Sequence, residues 1–185
     1  MEYDLQPGDI LLFKTKKGFD LIGSFITSQE RDTDVSHAAF VGINGNIWTT
    51  GADKFIFYGQ VNADKYLKDK SFYICRLDSP ALIQLSIMDT NAERMKGMIY
   101  GFWKVQMLIT KSNFGGIVKR LYPWLTKIVK DPFCSEAVAD CCWKAGFRVC
   151  LCMGKEEPSA ITPANLKTYA QIKLSPLNIV CEVNQ

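Results

Sequence analysis

The sequence of 185 residues contains a single histidine, His37. Chemistry at neutral pH that needs an imidazole must use this residue, because histidine is the side chain that ordinarily titrates near neutrality. The chain also lacks a strong excess of either sign of charge. It has 22 Lys and Arg residues and 19 Asp and Glu residues, which gives a net charge of +3. So small a bias gives no reason to expect nucleic acid as a partner.

Processing signals and long apolar runs are also missing. The chain begins MEYDLQPGD, without the basic and apolar regions of a signal peptide. Its apolar stretches are shorter than the roughly 20 residues of a membrane-spanning helix. Seven cysteines form no CxxC pair, and Cys141-Cys142 and Cys150-x-Cys152 are poor zinc spacings. We therefore expect a cytoplasmic protein with reduced thiols, and neither a metal nor a cofactor.

The order of sequence patterns predicts one α+β domain over residues 1–185. Hydrophobic residues make up 48% of the chain, which excludes a disordered protein. Period-two segments and an Asn44-Gly45 turn predict a small, mostly antiparallel sheet. Its strands are expected at 9–13, 36–43, 46–50 and 72–77, with a shorter strand at 55–58. Helical patterns follow at 83–100, at 134–145 and after Thr162-Pro163, and residues 172–183 are expected to be extended.

Cys134 stands at the predicted start of a helix that we expect to pack against the sheet. A helix N-terminus favours a thiolate and offers N–H donors to a developing oxyanion. One such thiol and the imidazole of His37 are the minimum for a Cys–His nucleophile pair. The other cysteines, Cys181 among them, are expected to be small core residues. Asp9 is expected to cap the turn before the first strand.

Several short motifs occur in a fixed order along almost the whole chain. They are LQPGDI (5–10), SH with a glycine five residues on (36–42), GMIY (97–100), FCSEAV (133–138), AG (145–146) and TPANL (162–166). In this order they resemble the circularly permuted, NlpC-like branch of the papain superfamily, the permuted papain-like amidases.

The resemblance implies a papain-like fold in which the histidine strand precedes the cysteine helix. It makes Cys134 the nucleophile and His37 the general base of a cysteine hydrolase. Many relatives carry a glutamate after the hairpin that orients the imidazole, whereas this chain has Thr49, the candidate third member. The resemblance also assigns Tyr100, Ser36 and Ser135 to a substrate cleft.

Three functions remain open from the sequence. The first is a hydrolase that cleaves a peptide, an isopeptide or an acylated lipid through an acyl–enzyme at Cys134. The second is a lipid acyltransferase or phospholipase of the same fold at a membrane surface. An apolar helix at 19–27 and a basic, apolar stretch at 103–130 favour this peripheral membrane contact. The third is a catalytically impaired protein that uses the old cleft for binding, which the threonine at position 49 favours.

Overall fold

Six antiparallel strands form the sheet of the computed structural model, which describes residues 3–15, 34–50, 58–98, 134–149, 161–173 and 175–184. The strand order is β4-β3-β2-β1-β5-β6, and every neighbouring pair is antiparallel. The strands are β1 (Ile10–Lys14), β2 (Val35–Val41), β3 (Ile47–Thr50), β4 (Tyr58–Val61), β5 (Phe72–Leu77) and β6 (Leu177–Val183). This sheet confirms the α+β class and the strands predicted near residues 10, 36, 47 and 72.

Four helices are described: α1 (Ala63–Leu67), α2 (Leu82–Met95), α3 (Cys134–Lys144) and α4 (Pro163–Ala170). The Thr162 hydroxyl caps α4 by accepting from the Asn165 N–H at 3.2 Å, and Pro163 occupies its first turn. Gly146 follows α3 with a φ of +92°, a conformation that glycine adopts without strain. The predictions for α3 and α4 are therefore confirmed.

The helix predicted over 83–100 was too long. The chain leaves α2 at Lys96, and Gly97 takes a φ of +81°. Its N–H then donates to the Tyr58 carbonyl at 2.9 Å, and the Tyr58 N–H donates to the Met98 carbonyl at 3.0 Å. Pairing with Tyr58 thus replaces further helical turns. Within the described residues, no helix is long and apolar enough to cross a membrane.

Two further strand predictions differ from the structure or lie mostly outside the described residues. The strand expected at 55–58 lies outside the described residues except for Tyr58, where β4 begins and runs on to Val61. The extended segment expected from residue 172 becomes a strand only at Leu177. A turn comes first, in which the Ser175 N–H donates to the Ile172 carbonyl at 2.9 Å.

The two faces of the sheet bury different partners. Side chains of a strand alternate between faces, and Ile10 and Leu12 belong to one apolar cluster while Leu11 and Phe13 belong to the other. The first, the helical face, packs against α2, α3 and α4. The second, the α1 face, is covered by Leu67 of α1 and by residues near the N-terminus. The helix of Cys134 therefore packs against the sheet, as predicted.

Asp9 anchors the turn that leads into β1. One carboxylate oxygen accepts the Gln6 N–H at 2.8 Å. The Arg76 guanidinium of β5 donates to both carboxylate oxygens at 2.8 Å. Asp9 is 1% exposed, and a buried carboxylate is stable when it is paired in this way. The predicted capping role is confirmed.

Candidate functional site

His37 lies near the start of β2, opposite Thr49 of β3. The ladder between these strands joins Phe40 to Trp48 and Val41 to Ile47, and His37 and Thr49 lie beyond it. There the His37 Nε2 and the Thr49 Oγ1 are 2.8 Å apart. Thr49, the candidate third member, therefore contacts the imidazole ring.

An irregularity between β1 and β2 lies directly beside His37. Phe13 pairs with His37 and Lys14 with Val35, so that Ser36 is an extra residue in β2. Such bulges change the direction in which neighbouring side chains point. Ser36, which the resemblance assigns to the cleft, is buried here. The His37 ring lies on the α1 face, with its centroid 5.6 Å from that of Phe13.

Tyr66 of α1 is a member of this site that the sequence did not indicate. Its hydroxyl is 3.1 Å from the Thr49 Oγ1 and 3.4 Å from the His37 Nε2. Its ring packs edge-on against Phe13, and the Lys70 Nζ lies 3.3 Å from the ring centroid. No spacing in the sequence linked Tyr66 to His37.

Burial keeps the Tyr66 hydroxyl neutral. Desolvation raises its pKa to about 12, the hydrogen bond to Thr49 acts in the opposite direction, and the nearby charge of Cys134 raises the pKa further. At neutral pH the phenol therefore keeps its proton and can donate it.

Cys134 is the first residue of α3 and is 2% exposed. The thiol is therefore buried, although a nucleophile needs access to its substrate. Ala137 and Val138, further along α3, belong to the cluster on the helical face, whereas His37 lies on the α1 face. Beyond its first residues, α3 therefore packs on the face of the sheet opposite the His37 ring.

The Ser135 side chain points into the protein interior. Its hydroxyl donates to the Ile161 carbonyl at 2.6 Å, and the residue is buried. This bond ties the start of α3 to the segment that opens α4. A role for Ser135 in a substrate cleft stays a prediction. Tyr100, the third residue assigned to that cleft, lies outside the described residues.

The remaining described cysteines separate into two classes. Cys75, Cys141 and Cys142 are buried, whereas Cys181 is exposed. Desolvation is the main reason why the pKa of Cys75 rises to about 12 and that of Cys141 rises well above its ordinary value. The expectation that Cys181 lies in the core was wrong, because β6 is at the edge of the sheet. Cys150 and Cys152 fall outside the described residues.

Potential metal ligands are scattered over the described part of the chain. Within that part, no three His, Cys, Asp or Glu side chains come together in a group that could hold a metal ion. The hydroxyls of Thr49 and Tyr66 are among the polar groups that contact His37. Such an arrangement suits the orientation of an imidazole and the transfer of a proton.

Comparison with known proteins gives one likeness in fold. Neither a protein-family model nor a curated protein matches the sequence. Among solved structures, the chain is similar to the crystal structure of the metalloprotein yiiX (DUF1105) from Escherichia coli O157:H7. The two share 14% identity at a TM-score of 0.61, over 98% of this chain and 99% of the other. At this identity the similarity concerns the fold alone.

Proposed function

We propose that the chain is a cysteine hydrolase of papain-like fold, in which Cys134 attacks an amide or ester and His37 is the general base. One observation supports it most: the Thr49 Oγ1 contacts the His37 Nε2 at 2.8 Å, as the resemblance implies for the third member of the site. His37 and Cys134 are 97 positions apart in the sequence. His37 lies in β2 and Cys134 begins α3, so only the packing of helix and sheet can bring the two side chains together.

The proposed reaction has two halves. In the first, the Cys134 sulfur attacks the substrate carbonyl carbon, and its proton passes to His37. The N–H groups at the start of α3 stabilise the oxyanion that forms. Collapse of this intermediate breaks the bond to the leaving amine or alcohol, which takes the proton from His37. In the second half, His37 removes a proton from water, and the hydroxide cleaves the thioester to release the acid and the thiol.

Thr49 limits what this pair can do. A hydroxyl oxygen can accept a hydrogen bond from the imidazole, but it carries no charge that would stabilise an imidazolium. Loss of a charged orienting residue lowers catalytic rates by orders of magnitude in a serine triad. We therefore propose a slow hydrolase with a peptide, an isopeptide or an acylated lipid as substrate. The second function considered above, at a membrane surface, depends on segments outside the described residues.

Selective alkylation tests the proposal. The background variant is Cys181→Ser, because this exposed thiol reacts with iodoacetamide whatever the function. We expect Cys134 to be labelled faster at neutral pH than Cys141 and Cys142, which are as buried as Cys134 but lie further along α3. His37→Ala should lower the alkylation rate of Cys134 by about 100-fold. This is the lower end of the rate enhancement that a general base usually contributes. Mass spectrometry of the peptides measures both rates.

Two results would contradict the hydrolase. One is equal labelling of the three buried cysteines of α3, and the other is an unchanged Cys134 rate in His37→Ala. A matched control, Cys141→Ser, should leave the Cys134 rate unaltered.

A second candidate function is a binding protein that has kept the cleft without its chemistry. The 2% exposure of Cys134 favours it, because a nucleophile must reach its substrate. Thr49 in place of a carboxylate favours it as well. This candidate predicts that Cys134 resists alkylation in the folded protein and reacts only after denaturation.

A further inference from the structure

The hydrogen bonds around Thr49 define which atoms carry protons. A threonine hydroxyl has one proton to donate and two lone pairs to accept with. The Thr49 hydroxyl donates to the Thr50 carbonyl at 3.1 Å. With its proton on that carbonyl, the Thr49 oxygen is left to accept from its other two neighbours, the His37 Nε2 at 2.8 Å and the Tyr66 hydroxyl at 3.1 Å. In this allocation of protons, Nε2 is the protonated nitrogen of a neutral His37.

We infer that Tyr66 is a positioning residue for His37. Its hydroxyl donates to the Thr49 Oγ1, fills the second lone pair of that oxygen and so leaves one acceptor site for the His37 Nε2–H. The two hydroxyls hold the imidazole in the tautomer whose lone pair is on Nδ1. Neither belongs to a carboxylate, so the device orients the ring without adding a charge.

The surroundings of Tyr66 fit this role. A phenol with a pKa of about 12 stays a donor throughout the range in which histidine titrates. The titratable groups around it include His37, whose Nε2 lies 3.4 Å from the hydroxyl, and Lys70, whose Nζ lies 3.3 Å from the ring centroid. The charge of Cys134 also acts on it and raises its pKa. The edge-on contact with Phe13, at 5.6 Å between ring centroids, fixes the direction of the hydroxyl.

The consequence for catalysis rests on the proposed function, but the tautomer does not. With the proton on Nε2, the nitrogen that accepts the thiol proton is Nδ1. When the Tyr66 hydroxyl is lost, the Thr49 oxygen has a vacant lone pair and can reorient. The Nδ1-protonated tautomer then becomes populated, and the base is available for a smaller fraction of the time.

Nitrogen NMR of the imidazole tests the inference, since the chain has one histidine and needs no assignment. The spectrum is recorded above the ordinary histidine pKa of about 6.5. The wild type should show a protonated Nε2 and an unprotonated Nδ1. Tyr66→Phe, which keeps the ring against Phe13, should give a mixture of tautomers. It should also lower the Cys134 alkylation rate by about 3-fold to 10-fold, as expected for one lost hydrogen bond.

Tyr73→Phe is the matched control. It removes a hydroxyl that donates to Asp34 at 2.6 Å, on the same sheet but away from Thr49, and it should change neither the tautomer nor the rate. A wild-type ring protonated on Nδ1 would overturn the inference, and so would Tyr66→Phe with an unaltered tautomer.

Two further outcomes separate the inference from the proposed function. If Tyr66→Phe does not fold, a slowly exchanging Tyr66 hydroxyl proton in the wild type supports the inference, and a rapidly exchanging one contradicts it. If the tautomer behaves as inferred while Cys134 is unreactive, the proposed function fails and the positioning role stands.

Discussion

Two buried polar clusters flank β1, and they are built on opposite principles. In the Asp9 cluster, a carboxylate that is 1% exposed receives two hydrogen bonds from the Arg76 guanidinium. In the His37 cluster, the imidazole contacts the hydroxyls of Thr49 and Tyr66, neither of which belongs to a charged side chain. The first cluster is stabilised by an ion pair. The second is stabilised by hydrogen bonds whose direction depends on which atom carries each proton.

This difference separates a structural device from a candidate functional one. Burying a charge is costly unless a partner compensates it, so the Asp9 cluster tolerates no loss of a member. In the His37 cluster, the imidazole can gain or lose a proton without leaving a buried carboxylate unpaired. A site for proton transfer belongs in the second kind of cluster, and the predictions below test the contrast from the largest expected effect to the smallest.

Alkaline pH should destabilise both clusters, each through a different acid. Burial raises the pKa of Cys75 from 9.0 to about 12, with the charge of Asp9 adding to it, and raises the pKa of Tyr66 from 10.0 to about 12. Both folded pKa values lie above the unfolded ones. Their stabilisation is therefore complete below pH 9 and is lost as the pH rises toward 12, at about 1.4 kcal/mol per unit of separation for each group.

Urea unfolding at a series of alkaline pH values measures this loss. Cys75→Ala should flatten the decline that begins near pH 9, and Tyr66→Phe should flatten the decline that begins near pH 10. A free energy of unfolding that stays constant up to pH 11 would show that neither group needs its proton in the folded state.

Arg76→Ala should lower the free energy of unfolding by about 3 kcal/mol, because it leaves the Asp9 carboxylate buried without its partner. The control is Lys96→Ala, which breaks an ion pair with Glu93 whose two side chains are 56% and 58% exposed. Such an exposed pair contributes at most about 1 kcal/mol. Equal effects of the two substitutions would mean that the Asp9 cluster does not depend on its charge pairing.

The strands and capped helices were predictable from the sequence because their signals are local. The Asn44-Gly45 turn set the β2–β3 hairpin, and the Thr162-Pro163 pair set the start of α4. Thr49 was found through its place in a family resemblance, and the hairpin does bring it to His37.

Contacts between distant segments were not predictable. Tyr66 is 29 positions from His37 and meets it through α1, whose direction no sequence pattern indicates. The α2 helix was overextended because apolar spacing continues past Gly97, where the backbone turns to pair with Tyr58. The burial of Cys134 depends on how α3 packs, which periodicity does not report.

Thr49→Glu should place a charged side chain in the His37 cluster. A carboxylate beside Nε2 favours the imidazolium, so the pH at which His37 loses its proton should rise by about one unit. The profile of Cys134 alkylation against pH should move in the same direction. Thr49→Gln, of the same size but without charge, should move neither. If the Glu variant behaves like the Gln variant, position 49 does not contact the ring.

The most direct test of the central claim is to look for the acyl–enzyme. The Cys181→Ser protein is mixed with p-nitrophenyl acetate at neutral pH, quenched in acid and mapped by mass spectrometry. The proposed chemistry predicts a burst of p-nitrophenolate close to one equivalent, one acetyl group on Cys134, and the loss of both in His37→Ala. Acetyl groups scattered over lysines, with no burst and no effect of His37→Ala, would contradict a Cys134–His37 nucleophile.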